Sequence, residues 1–136
     1  MKKRLTLLLL VLLIFAVVLA GCRTGPDIRE VKDIPTDAVE IMTSELLGQS
    51  GTYTKGSIYV SGNGYFILDI QLQSGSVKSV GIIDATLDET IFAISKPNTA
   101  LYDSGYYEYK ADSEYKLRFV DAKEINGTIT VYYVAE

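Results

Sequence analysis

The sequence contains no histidine, no tryptophan and a single cysteine, Cys22. Without histidine, neither a Ser-His-Asp nor a Cys-His catalytic arrangement can form, and a zinc site that uses histidine is excluded. A single cysteine cannot form an intramolecular disulfide. These absences exclude most familiar hydrolytic centres. We therefore expect a protein that is not an enzyme, with no catalytic residue, no cofactor and no metal site.

The longest apolar stretch covers residues 5–20, follows a basic start at residues 2–4 and carries no charge. It is a little shorter than the roughly 20 apolar residues that a spanning helix needs. A basic start, an apolar centre and an end in small residues are typical of an export signal that is later removed. The sequence therefore predicts a signal peptide over residues 1–21.

The signal ends in Leu19-Ala20-Gly21-Cys22, which resembles the lipobox of bacterial lipoproteins. The resemblance implies cleavage between Gly21 and Cys22 and attachment of palmitate-type acyl chains at Cys22. One acyl chain holds weakly, since each buried methylene contributes about 0.8 kcal/mol, but two or three chains hold almost permanently. We expect a lipid anchor in the bacterial cell membrane or outer membrane, with the protein facing the periplasm or the cell exterior. The alternative is an uncleaved signal anchor with a chance cysteine.

The part that follows the signal is acidic. The signal holds three of the 13 Lys and Arg residues, and all 17 Asp and Glu residues follow Cys22, so the mature side chains carry ten positive and 17 negative charges, a net −7. An acidic surface argues against nucleic acid as a partner and against broad adhesion to anionic headgroups. The expected partners are membrane lipid, through Cys22, and an envelope protein or glycan.

Two segments precede the main pattern. Residues 22–34 are polar, with glycine and proline, and such segments seldom pack, so we predict a flexible tether. Residues 35–47 are predicted as a short helix, because Pro35 suits a first turn and Gly48 a stop. A strand is the rival interpretation, since apolar residues here also alternate with polar ones. The apolar residues at helical spacing are Val39, Met42 and Leu46.

From Gly51 onward the apolar residues recur with a period of two, which is typical of strands with one buried face. The clearest strands cover residues 65–73, 114–120 and 128–134, and Asn126-Gly127 is a turn signal. Parallel strands would need crossover helices, for which the chain has no room. We predict an all-β domain over residues 35–136, an antiparallel β-sandwich of about seven to eight strands with the helix at its N-terminal side.

Residues 83–97, 107–119 and 128–133 occur in an order that resembles the GOLD or emp24-like β-sandwich domain. In that family a strand with a phenylalanine precedes a proline, as Phe92 precedes Pro97 here. A strand of the pattern Tyr115-x-Leu117-x-Phe119 and a closing strand follow. The resemblance implies a jelly-roll-like sandwich that mediates protein or lipid contacts and brings no catalytic residues.

Ten tyrosines are the most distinctive feature of the mature chain. Tyrosine combines an apolar ring with a polar tip, which suits contact with sugars, peptides or proteins. It is also a good strand residue, and alternate tyrosines in a strand must face the core. The candidate binding surface consists of Tyr102, Tyr106 and Tyr132.

The leading hypothesis is a non-catalytic envelope lipoprotein that binds or scaffolds another envelope component. The first alternative is a carboxylate-dependent enzyme on envelope glycans, which needs two acids about 5–10 Å apart in one cleft. The second is a small inhibitor or periplasmic chaperone that acts through a sheet edge. A cluster at Asp84, Asp88 and Glu89 is interpreted as a solvated loop.

Overall fold

The computed structural model describes residues 27–60, 62–110 and 112–136. In these residues every regular element is a strand and every strand pairing is antiparallel, which confirms the predicted all-β antiparallel class. Nothing in the described ranges is a helix long and apolar enough to cross a bilayer. The strands are β1 (Arg29–Val31), β2 (Val39–Ile58), β3 (Gly64–Ser76), β4 (Ser79–Asp84), β5 (Glu89–Ser95), β6 (Ala100–Asp103) and β7 (Tyr115–Ala135).

β7 is the centre of the sheet. β2 pairs with it along one edge, from Val39 opposite Tyr133 to Ile58 opposite Tyr115. On the other edge β3 pairs with the C-terminal part of β7 and β4 with the N-terminal part. β6 and then β1 extend the sheet beyond β3, and β5 extends it beyond β4.

The sheet curls where its three long strands, β2, β3 and β7, bend at the same level. Gly48 and Gly51 in β2, Gly75 in β3, and Asp121 and Glu124 in β7 all have positive φ angles. The register of β2 and of β3 against β7 shifts at the same places. Such bulges bend a strand and increase its twist, so they fold the sheet over on itself. We call this region the curl.

The core fills the inside of the curled sheet. The rings of Phe66 in β3 and Phe92 in β5 lie 6.3 Å apart between centroids, although β7 and β4 separate these strands in the sheet. The predicted period of two, with one buried face on each strand, is confirmed in three segments by the burial of alternate residues: Phe66, Leu68, Ile70, Tyr115, Leu117, Phe119, Ile129, Val131 and Tyr133.

The predicted helix over residues 35–47 is wrong. Its N-terminal signals produce only a turn, in which the Ala38 N–H donates to the Pro35 carbonyl oxygen at 3.1 Å. The chain is then extended as β2, with Ser44 and Leu46 buried on alternate positions. Helix propensity is a weak preference, and pairing along the whole of β7 outweighs it. The rival strand interpretation was therefore the correct one.

The predicted turn at Asn126-Gly127 is also wrong, because both residues lie inside β7. Gly127 has a φ angle of 147°, and a Cβ there would collide with the Gln71 carbonyl oxygen of β3. The glycine is thus required by the close approach of two strands rather than by a reversal of the chain. The segments predicted as two strands on either side of it form one strand.

The chain enters the sheet at the end opposite the curl. Residues 29–31, within the predicted tether, form β1. The Asp27 backbone lies so close to Gly105 that a Cβ on Gly105 would collide with it. Gly64, at the start of β3, is at this end, which we call the open end. β3 has 13 residues at about 3.3 Å each, so the open end and the curl lie about 40 Å apart along the strand.

Candidate functional site

The predicted site residues fall in different places. Gly21 and Cys22, the predicted cleavage and lipidation residues, lie outside the described residues. Tyr102 is 8% exposed and packs in the core, where its Oη accepts the Asn98 N–H at 2.9 Å. Tyr106 is 52% exposed. Tyr132 is half-buried on the outer face of β7, so the three tyrosines do not form one surface.

Tyr106 lines a small pocket at the open end, with a volume of about 290 Å³. The Arg29 guanidinium lies 3.3 Å from one Asp103 carboxylate oxygen, and the Gly105 N–H donates to the other at 2.8 Å. Partial burial raises the pKa of Tyr65, and the charge of Asp103 adds to the effect. A ring beside polar groups suits a small polar ligand such as a sugar. We call this the tyrosine pocket: Asp27, Arg29, Tyr65, Asp103, Gly105 and Tyr106.

Most of the neighbouring tyrosines are structural. Tyr109 lies 5.0 Å from Phe66 and 5.3 Å from Tyr115 between ring centroids, both at steep angles. Tyr115 Oη accepts the Lys110 N–H at 2.9 Å. Tyr109 Oη is buried and makes no hydrogen bond of acceptable geometry among the described residues. Burial raises the pKa of its phenol more than the nearby Ser104 side chain lowers it. The aromatic cluster of the open end is Phe66, Tyr107, Tyr109, Tyr115 and Tyr133.

The acidic cluster predicted as a solvated loop is solvated only in part, because Asp84 ends β4 and pairs with Glu89 at the start of β5. Asp84 is buried, and one of its carboxylate oxygens accepts the N–H groups of Thr86 at 2.9 Å and Leu87 at 3.1 Å. Asp88 and Glu89 are exposed. Within the described ranges no group of three Asp, Glu, His or Cys side chains is placed to hold a metal ion. Asp84 therefore stabilises the local turn.

An open groove lies at the curl, with a volume of about 740 Å³. Three lysines line it: Lys78 between β3 and β4, Lys96 after β5, and Lys123 in β7. The apolar side chains of Leu72, Val77 and Pro97 line it as well. The sequence analysis did not single out these lysines. We call this cavity the lysine groove.

Backbone pairing brings the three lysines together. The Lys96 N–H donates to the Lys78 carbonyl oxygen at 2.8 Å, and the Lys78 N–H donates to the Val120 carbonyl oxygen at 2.9 Å. Lys123 pairs with Ser76, two residues before Lys78. The three residues thus lie on neighbouring segments, which in a sheet are about 4.8 Å apart. All three side chains are exposed.

Among the described residues, the positive charge of the groove is balanced only in part. In the part of the chain that the structure describes, the two ion pairs are Arg29–Asp103 and Lys116–Glu114, so none of the three groove lysines is paired. The groove has one acidic lining residue, Asp121, whose carboxylate accepts a long hydrogen bond of 3.5 Å from the Thr52 hydroxyl. An open, positively charged groove can hold an anion.

No protein-family model, curated protein or solved structure matches this chain. The resemblances to the lipobox and to GOLD-like domains therefore stay predictions from the sequence. The interpretation of function rests on the geometry of the lysine groove and the tyrosine pocket and on where the chain enters the sheet.

Two groove residues adopt an unusual backbone conformation. Lys96 has a φ angle of 45° and Asp121 one of 49°, in the left-handed region that L-residues seldom occupy. Such a conformation costs about 1 kcal/mol for a residue with a Cβ. Lys96 follows the last residue of β5, so this conformation sets where its side chain leaves the sheet. Sequence patterns do not report φ angles, and the lysines are 18 and 27 residues apart, so only the three-dimensional register brings them together.

Proposed function

We propose that this protein is a lipid-anchored, non-catalytic binding module of the bacterial envelope, held to the cell or outer membrane through Cys22. The proposal rests on one arrangement: the chain enters the sheet at the open end, and the lysine groove lies at the curl. The finer prediction of a jelly-roll-like sandwich, as in GOLD-like contact domains, agrees with a sheet whose two arms enclose one core. A lipid anchor at one end leaves the other end free for a ligand.

The length of the linking segment supports this orientation. Four residues lie between Cys22 and Asp27, and the five steps from one residue to the next span at most about 3.6 Å each, or about 18 Å in all. The open end, with the tyrosine pocket, would therefore stay close to the membrane surface. The groove lining begins at Leu72, about 26 Å further along β3 from Gly64, and would face the envelope space.

The character of the two cavities supports a role in binding. The lysine groove combines three lysines with a single acid. In the tyrosine pocket, both oxygens of Asp103 already accept hydrogen bonds. A glycan hydrolase needs two carboxylates that face its substrate. Asp27 and Asp103 share the tyrosine pocket, so the carboxylate-dependent enzyme stays the first alternative, located there.

The second alternative, an inhibitor or chaperone that acts through a sheet edge, is favoured by β2. Over its 20 residues this strand pairs with β7 alone, and its other edge is open among the described residues. An open edge can accept a strand from another protein. The pairing of β2 has five register irregularities, however, and bulges are a device that keeps edges from pairing. We therefore place this function behind ligand binding in the groove.

Metabolic labelling with palmitate tests the anchor. We expect label on the wild-type protein, a mature chain that begins at Cys22, and no label on Cys22→Ser. Gly25→Ala is the matched control, because it changes a nearby residue outside the cleavage tetrapeptide and should be labelled like the wild type. Label on Cys22→Ser, or an unlabelled wild-type protein that retains Met1, would refute the anchor. Crosslinking in intact cells followed by mass spectrometry would then identify what lies against the curl.

A further inference from the structure

We propose that the lysine groove binds the phosphate groups of a polyanionic envelope polymer, such as a phosphate-bearing glycan. The location of that polymer in the envelope rests on the proposed function, whereas phosphate binding rests on the groove alone. The chain has a net −7 after the signal, yet three of its seven lysines beyond Cys22 line this one cavity. Positive charge is thus concentrated at one place on an acidic protein.

The arrangement is unfavourable in the absence of an anion. Three exposed ammonium groups on neighbouring segments repel each other, and salt screens this repulsion without removing it. No carboxylate among the described residues forms an ion pair with any of them. Asp121 is the one acid of the lining, and it balances a single positive charge. A bound anion would relieve this repulsion, so the groove is electrostatically suited to one.

The side chains favour phosphate over carboxylate. Arginine matches a planar carboxylate through two parallel hydrogen bonds, whereas lysine is a compact point charge that serves phosphate oxygens in any direction. The groove has three lysines and no arginine in its lining. Arg29 and Arg118, the two arginines of the described residues, line other cavities.

The shape and position of the groove indicate a polymer and not a nucleic acid or a lipid headgroup. No aromatic side chain of the described residues lines it, so the bases of a single strand would have no ring there to stack on. It is open and has a volume of about 740 Å³, which leaves room for a chain to continue past a bound phosphate. Its lining begins at Leu72, about 26 Å from Gly64 along β3, which is about three times the Debye length of about 8 Å at physiological salt.

Titration of the lipid-modified full-length protein in neutral detergent, with linear polyphosphate as the probe, tests the proposal. We expect binding that weakens as the salt concentration rises. Inorganic phosphate should bind on the order of 100-fold more weakly, because a chain engages several lysines at once. A single-stranded polynucleotide with as many phosphates should bind no more tightly than polyphosphate. Tighter binding of the polynucleotide would overturn the choice of ligand.

A pair of double variants separates the groove from general charge. Lys78→Gln/Lys123→Gln should weaken polyphosphate binding about tenfold for each lysine, since hydrogen bonds to charged groups are among the strong ones. Lys32→Gln/Lys110→Gln removes the same charge from exposed sites outside the groove and should bind like the wild type. Equal losses in both variants, or no loss in the first, would overturn the proposal.

Reconstitution distinguishes an envelope polymer from the membrane's own headgroups. The wild-type protein is placed in vesicles of phosphatidylcholine alone or with an equal part of phosphatidylglycerol, and polyphosphate binding is measured at physiological salt. We expect affinities within about twofold, because the groove lies beyond the range of the headgroup charge. Suppression by phosphatidylglycerol would show that headgroups occupy the groove. Groove-dependent binding without palmitate label would overturn the anchor alone, and palmitate label without binding would overturn the groove alone.

Discussion

Replacement of Tyr109 by phenylalanine should stabilise the protein. The Tyr109 side chain is 4% exposed, and its hydroxyl has no hydrogen-bond partner among the described residues. A buried polar group without a partner costs roughly 1–3 kcal/mol relative to one that is satisfied. Tyr109→Phe removes the hydroxyl and leaves the ring contacts with Phe66 and Tyr115 in place. The free energy of unfolding should therefore rise by roughly 1–3 kcal/mol.

Tyr115→Phe is the matched control in the same aromatic cluster. Tyr115 is equally buried, but its hydroxyl accepts the Lys110 N–H at 2.9 Å. Its removal deletes a hydrogen bond that is made, so we expect a loss of about 0.5–1.5 kcal/mol. The two substitutions change the same atom in neighbouring rings and should have opposite signs.

Urea unfolding followed by circular dichroism measures both effects, and thermal melting provides a second measurement. Each kcal/mol corresponds to a shift of about 4 °C in Tm for a domain of this size. A Tyr109→Phe midpoint below that of the wild type, by as much as Tyr115→Phe, would show that the Tyr109 hydroxyl is bonded and would refute the reasoning.

Two further predictions concern the stability of the sheet. Burial raises the pKa of Tyr109, Tyr115 and Tyr133 above the ordinary value of about 10. The unfolded chain therefore releases these protons first as pH rises, so this stability is fully present below about pH 10 and is lost above it. Denaturant unfolding from neutral to alkaline pH measures the loss, with phenolate absorbance as a second signal. Stability that persists while the phenols ionise would contradict the prediction. Gly127→Ala should cost more than about 1 kcal/mol, because its φ angle is 147° and a Cβ would meet a carbonyl oxygen of β3. Gly62→Ala is the control, since no atom lies within 4 Å of its Cβ position, and equal losses in the two alanine variants would argue against the contact.

The strands with one apolar face could be predicted from the sequence. In β3, Phe66, Leu68 and Ile70 alternate with less apolar residues. Such alternation indicates a strand with one face against the core. The same logic gave the inward rows of β7. Chain length and the lack of crossover helices settled the antiparallel class. These signals are local, and the structure agrees with them.

The predictions that were wrong are those for which a distant strand decides the structure. Apolar residues in 39–47 fit both a helix and a strand, and only the partner β7 distinguishes between them. Asn126-Gly127 is a turn signal in isolation, but here Gly127 lets the β3 backbone approach β7 closely. Long-range pairing outweighs local preference in both cases. The partner strand that decides the local structure lies far away in the sequence, outside any short stretch used for prediction.

The lysine groove could not be predicted from the sequence for a related reason. Its backbone φ angles show the conformational free energy that the lining side chains cost. Glycine occupies the left-handed region without a Cβ penalty, as Gly48 and Gly51 do at the same curl. Lys96 and Asp121 take that conformation at a cost of about 1 kcal/mol each, although glycine would bend the chain as well. The curl therefore carries charged side chains at positions where folding alone would favour none. Asp88 and Glu124, which do not line the groove, share this conformation, so the strain by itself does not identify a site. At Lys96 it occurs where the backbone pairs with Lys78, in a groove whose described lining contains one carboxylate, that of Asp121.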